Sequence, residues 1–236
     1  MNMMTSFSSA CILAVGASAS ADVLFTQSFE NPDDLGGQYQ DATVNGGAFD
    51  HDLVNYDAMS SVDGVGFDAS FISTGKSQAG LTDGDFVGVT DYTGGGSPGG
   101  FTDGVQGYQL SDTDGIMVLT LSAVEGADSV SLDFWLNSTG YETSAPNVDY
   151  LSITAGGEAG IDTTGSDIDD LGIEGAWTTL TWTGLTDSEV VIIFSSNSGS
   201  ETLMIDNVIW EGTAVPAPGA LALIGLAGIV ARRRRA

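Results

Sequence analysis

The residues able to do chemistry in this chain are almost all acids. Thirty-two Asp and Glu stand against five Lys and Arg, one His and one Cys. Carboxylates in this excess point to two chemistries, hydrolysis of a glycosidic bond by a placed pair and oxygen coordination of calcium. For hydrolysis, the aspartates are too many to single out a pair, and the glutamates are sparse and unclustered. His51 sits between Asp50 and Asp52 with no nucleophile elbow anywhere in the chain. It reads as a surface histidine with a raised pKa, and one histidine cannot build a histidine-rich zinc site. Asp112-Thr113-Asp114-Gly115 opens like a calcium loop, but Leu110 and Leu121 stand where the loop needs acids, so it reads as a turn. Asp162 to Asp170 gathers four acids and reads as a solvated loop.

Aromatic rings supply the other recognisable chemistry, because their faces stack on sugar rings. Tyr92, Phe101, Tyr108 and Tyr141 fall in or near loops, and Trp135 lies opposite the apolar face of its strand. These five are the candidate sugar platform. Trp177, Trp182 and Trp210 are assigned to packing.

Short strands must position these groups. With 33 glycines and few Lys, Arg or Glu, long helices are improbable, and period-two runs bounded by Gly, Asp and Ser dominate. Strands are expected over 23–29, 66–72, 85–89, 106–110, 115–122, 129–136, 148–154, 176–183, 189–195 and 201–210, with further short ones between 38 and 56. In the first, Val23, Phe25 and Phe29 share a face. In the last, Asp206 shares a face with Met204, Val208 and Trp210, where an unpaired carboxylate would be costly. The glycine-rich stretch 91–104 lacks the lysine and following helix of a phosphate loop and reads as a flexible surface loop. About ten short strands at this spacing predict an all-β, antiparallel two-sheet sandwich.

The two ends differ from the middle. Residues 1–21 read as a secretory signal peptide, with an apolar core over 10–17 and a small-x-small cleavage site, Ala19-Ser20-Ala21. Its removal takes Cys11 with it and leaves a mature chain without disulfide or thiolate chemistry. The sandwich domain is expected over 22–212. It holds every acidic residue, with Lys76 its only Lys or Arg, which disfavours nucleic acid because no cationic surface exists to displace counterions from phosphate. Residues 213–236 form a tail. In it Pro216-Ala217-Pro218 precedes an uncharged run over 219–231 and then Arg232, Arg233, Arg234 and Arg235. As a helix the apolar run spans about 20 Å, against about 30 Å of bilayer hydrocarbon, so it suits transient insertion with the arginines on the cytoplasmic side.

Proline motif, short apolar helix and arginine cluster together resemble the PEP-CTERM sorting signal of Gram-negative bacteria, with Ala217 in place of that motif's glutamate. The resemblance implies export, transient residence in the inner membrane, processing by an exosortase-like enzyme, and delivery to the cell surface or extracellular matrix. The Phe29-Glu30 pair after the first strand and the final Ile205-Asp206-Asn207-Val208 are similar to jelly-roll carbohydrate-binding modules. That resemblance implies a jelly-roll sandwich whose first and last strands are neighbours, with a structural calcium where they meet and Glu30 and Asp206 as its ligands. The alternative for Asp206 is a cap on a backbone turn or an edge position facing water. Together these readings predict a non-enzymatic exported surface or matrix protein that associates with polysaccharide with calcium support. The alternatives are a purely structural or adhesive acidic surface protein, and a polysaccharide hydrolase or lyase.

Overall fold

The computed structural model describes residues 21–30, 66–73, 86–137, 140–145 and 148–212. They form eleven strands: β1 (Asp22–Gln27), β2 (Phe67–Ser73), β3 (Phe86–Thr90), β4 (Gly107–Ser111), β5 (Gly115–Leu121), β6 (Ala127–Leu136), β7 (Tyr150–Ala155), β8 (Glu158–Asp162), β9 (Trp177–Thr183), β10 (Val190–Ser195) and β11 (Thr202–Gly212). Every pairing is antiparallel. The strands outside 86–212 expected from the sequence at 38–56 lie beyond the described residues, as do His51, Lys76, the leader and the tail. A single 3-10 turn, Asp169–Leu171, is the helical element among the described residues. No helix of the described residues is long and apolar enough to cross a membrane.

The winding is nested. β7 pairs with β8, β6 with β9, β5 with β10 and β4 with β11, and successive pairs alternate between two sheets. The six-stranded sheet runs β3-β4-β11-β6-β9, with β1 also on β11; the five-stranded sheet runs β2-β5-β10-β7-β8. Residues alternate between the faces of a strand, and β5 shows the result. Met117, Leu119 and Leu121 are buried, while Ile116, Val118 and Thr120 are partly exposed. Facing rows from the two sheets, such as Leu132 and Phe134 of β6 and Ile192 and Phe194 of β10, fill the space between them. At one end Phe29, Phe67 and Tyr108 stack with centroids 5.4 to 5.5 Å apart.

Three departures from strict alternation matter for the site. β11 carries a bulge between Asp206 and Ile209, with Asn207 at φ 50°. The extra residue shifts the phase of the strand, so Leu203 and Ile205, then Val208 and Trp210, enter the core. Asp206 therefore shares a face with Met204 but not with Val208 and Trp210, contrary to the expectation from simple alternation. In β1 a register shift between Val23 and Phe25 leaves both exposed and turns Leu24 inward, while Phe29, at φ 57°, is buried. Finally, β4, the second half of β6 and the first half of β11 are buried on both faces. Something must cover the outside of the six-stranded sheet there. Among the described residues the glycine-rich segment 91–106 lies against it, with Phe101 at Gly107 of β4 and Thr102 and Asp103 bonded to Asp206 of β11.

Candidate functional site

Segment 91–106 crosses the outer face of the six-stranded sheet and is tied down by two carboxylates. Asp206 Oδ2 accepts from the backbone N–H of Thr102 at 2.7 Å and of Asp103 at 2.8 Å, and from Thr102 Oγ1 at 3.1 Å. Its Oδ1 accepts from Asn207 N at 2.7 Å. Glu30 Oε1 accepts from the backbone N–H of Val105 and, at 2.8 Å, of Gln106. Gly107 makes room for the loop, since a Cβ there would stand 2.6 Å from the Phe101 ring. Trp177 Nε1 donates to Gly100 O at 3.0 Å. The expected free surface loop is thus an anchored cover, because buried carboxylates need donors and the loop's N–H groups supply them.

Asp206 is 0% exposed. Burial pushes its pKa from 3.8 up to about 6, against the downward pull of the bonds from Asp103, Asn207 and Thr102. Beside it Asp133 accepts from Thr179 Oγ1 at 2.5 Å and from Asn207 Nδ2 at 3.0 Å. Glu30 and Asp206 both hold one loop, Asp206 through Thr102 and Asp103 and Glu30 through Val105 and Gln106. Their arrangement does not fit calcium at the oxygens in use, because a cation at Asp206 Oδ2 or Glu30 Oε1 would face four backbone N–H groups. The turn-capping alternative describes Asp206 better.

The proposed sugar platform does not assemble. Tyr108 is 2% exposed within the core, because its strand is covered on both faces. Trp135 is 5% exposed, on a face where segment 91–106 lies rather than on an open sheet. Tyr141 is 5% exposed. Tyr92 is half-buried and folds back on its own loop, with its ring over Gly94 and its hydroxyl donating to Gly95 O at 3.3 Å. Ala21 is exposed just before β1. Ala19, Pro216, Ala217, Pro218 and Arg232 to Arg235 lie outside the described residues. In the acidic loop, Asp162 Oδ1 accepts from Thr164 N, Thr164 Oγ1 and Tyr150 Oη, and the Thr164 bonds hold its carboxyl below the usual range.

Two features escaped the sequence. An open cleft of 470 Å³ lies where the edge strands β8 and β9 of the two sheets meet, bordered by Glu158, Trp182, Thr183, Leu185 and Thr186. Gly160 has no side chain to displace Trp182, whose ring would lie 2.4 Å from a Cβ there. The strand β8 itself was not expected, because it is short, mostly exposed and without an apolar period. The second feature joins the β6–β7 and β10–β11 connections. Carboxylate oxygens of Glu142, Asp149 and Glu201 lie within 4.8 Å of one another. These residues are far apart in sequence and follow no motif spacing, so only the fold brings them together.

No protein-family model matches the chain, and no curated protein matches it. Solved structures similar to it include the K2 cleaved adhesin domain of Lys-gingipain, at 14% identity over 79% of this chain and 98% of that one, with a TM-score of 0.34. Promiscuous carbohydrate-binding modules of the β-sandwich superfamily match at 12% identity over 75% of this chain and 63% of theirs, with a TM-score of 0.33. An exo-β-1,3-galactanase from Phanerochaete chrysosporium, with β-1,3-galactotriose, matches at 17% identity over 52% of this chain and 26% of its own, with a TM-score of 0.26. Likenesses this loose carry no inference about ligand or activity.

Proposed function

We propose that this chain is an exported, non-enzymatic protein of the cell surface or extracellular matrix that associates with polysaccharide through the cleft between β8 and β9. The cleft is the observation that carries the reading. It sets the exposed hydroxyls of Thr183 and Thr186 and the carboxylate of Glu158 around the partly exposed Leu185, with Trp182 packed beneath as part of the core, so polar groups for sugar hydroxyls surround a small apolar floor. Glu158 is the only acid among its lining residues, whereas glycoside hydrolysis takes two, so the cleft is suited to holding a chain rather than cutting it. The nested pairing of β4 to β11 follows the winding of a jelly roll, in agreement with the architecture that the first and last strands imply.

The remainder of the reading rests on the sequence. The leader and the proline–apolar–arginine tail fit export, transient inner-membrane insertion, handling by an exosortase-like enzyme and delivery to the envelope of a Gram-negative bacterium. Nucleic acid is disfavoured, since among the described residues there is no Lys, Arg or His. One observation favours the purely structural alternative, the close cluster of Glu142, Asp149 and Glu201, which suits an acidic protein held together by divalent cations.

The test is sedimentation of the full-length chain with insoluble polysaccharides, for the wild type and for Glu158→Ala combined with Thr186→Ala. Both positions are exposed, so the variant should melt like the wild type. A loss of affinity of about tenfold or more, at about 1 kcal/mol for each hydrogen bond removed, is the expected result. Equal binding by wild type and variant would remove the cleft from the account. Binding that soluble sugar fails to compete would favour the structural alternative.

A further inference from the structure

We infer that Glu142, Asp149 and Glu201, with the side-chain oxygen of Asn197, form a calcium site that clasps the β6–β7 connection to the β10–β11 connection. Asp149 and Glu201 are each 2% exposed, and their oxygens and that of Glu142 lie within 4.8 Å of one another. Three carboxylates this close repel one another, most strongly where water is excluded. The usual remedy, a basic side chain, is absent among the described residues.

Backbone hydrogen bonds build the site on both sides without neutralising it. Glu142 N donates to Asp149 Oδ2 at 2.6 Å, and Asp149 N donates back to Glu142 O at 2.8 Å. Across the gap Asn197 N donates to Glu201 Oε2 at 2.9 Å, and Glu201 N to Ser198 O at 2.8 Å. These bonds fix the carboxylates in place.

Two further groups are placed to serve a bound cation. The Asn197 amide ends 2.9 Å from Glu142 Oε2 and 3.2 Å from Glu201 Oε2. With its NH2 there it donates to both. With its oxygen there, three oxygens converge on one point, an arrangement that a bound cation would stabilise. The amide can therefore turn its NH2 inward without the ion and its oxygen inward with it. The second group is Tyr141, buried beside the cluster with its hydroxyl lacking any hydrogen-bond partner. A phenol hydroxyl has a proton to donate, and no hydrogen-bond acceptor meets it. Water on a bound ion would accept that proton.

The donor set selects the metal. Carboxylate and amide oxygens suit a hard cation, and the absence of His and Cys from the cluster excludes a zinc-type site. A loose set of side chains from two connections suits calcium, which tolerates irregular geometry, better than magnesium, which demands an octahedron. The likeness of this site to the Glu30–Asp206 pair ends at the acids. There, two backbone N–H groups meet Asp206 Oδ2 and two meet Glu30 Oε1; here a single N–H reaches Asp149 Oδ2 and another Glu201 Oε2, and carboxylate oxygens of three residues face one another.

The test is calcium titration calorimetry on the full-length chain after chelation, with thermal melts in calcium and in EDTA and no polysaccharide present. Its outcome is therefore separable from that of the polysaccharide reading. The wild type should bind a single equivalent and melt higher in calcium. Glu142→Gln, at an exposed position, and Glu201→Gln should each weaken binding at least about tenfold. Both should melt at or above the wild type in EDTA, because each removes one of the repelling charges. Glu30→Gln and Asp206→Asn should keep the calcium response. Absence of binding by the wild type, a response that survives both Glu142→Gln and Glu201→Gln, or one lost in Asp206→Asn instead, would overturn the site.

Discussion

Asp206 has no exposed surface, and the donors around it come largely from a loop a hundred residues away in sequence. Its folded pKa of about 6 lies above the unfolded 3.8, so the folded chain holds this proton more tightly than the unfolded one. The stability it contributes is then fully present below about pH 4 and is lost as pH rises through about 6. Asp206→Asn should flatten that part of the curve, as followed by melting temperature between pH 4 and pH 7. An unchanged slope would show that another group carries it. The resemblance to carbohydrate-binding modules paired Asp206 with Glu30, and a carboxylate among apolar neighbours made Asp206 conspicuous. What they hold was not legible. The bulge at Asn207 rests on one positive φ, and the loop N–H groups belong to the backbone, which leaves no trace in residue type. The buried Tyr108, Trp135 and Tyr141 illustrate the same limit. An aromatic near a loop reads alike whether another segment covers it or not.

The segment 91–106 shows how an element can be legible in kind and not in role. Four consecutive residue types in it, Gly94, Gly95, Gly96 and Ser97, mark a loop plainly, and a loop it is. Its work as a cover depends on Gly107, where the missing side chain seats Phe101 against the sheet. Gly107→Ala would force that ring off, at a cost of about 1–3 kcal/mol. It should also release the Trp177 bond to Gly100, so tryptophan emission should shift to the red and the melting temperature fall. Wild-type emission in a folded variant would mean that the cover does not rely on this contact. The strands were more legible than the loop. Where one face is core and the other solvent, as in β5, alternation declares itself. The exposed edge strand β8, with glycine in its middle, offers no such pattern, and so the cleft beside it was invisible too.

At the scale of the molecule, charge and topology pull in different directions. The nested pairing buries one continuous core, while a formal net charge of −27 works against compactness. Screening should relieve that repulsion, so the melting temperature should rise with sodium chloride at neutral pH, and a fall would contradict the charge argument. The acidic excess was plain from composition. Its concentration at Glu142, Asp149 and Glu201 was not, because two connections must fold before they meet. The sandwich as a whole followed from strand number and spacing, whereas the proposed polysaccharide site depends on a cleft made by two edge strands.

The most direct test of the account is a binding isotherm of the full-length chain on a panel of insoluble polysaccharides, including the host's own matrix, with reducing ends assayed in the same tubes. Saturable binding to at least one of them, competed by its soluble fragments and with no reducing ends released, is the predicted result. Absence of binding across the panel, or release of reducing ends by the bound chain, would contradict it.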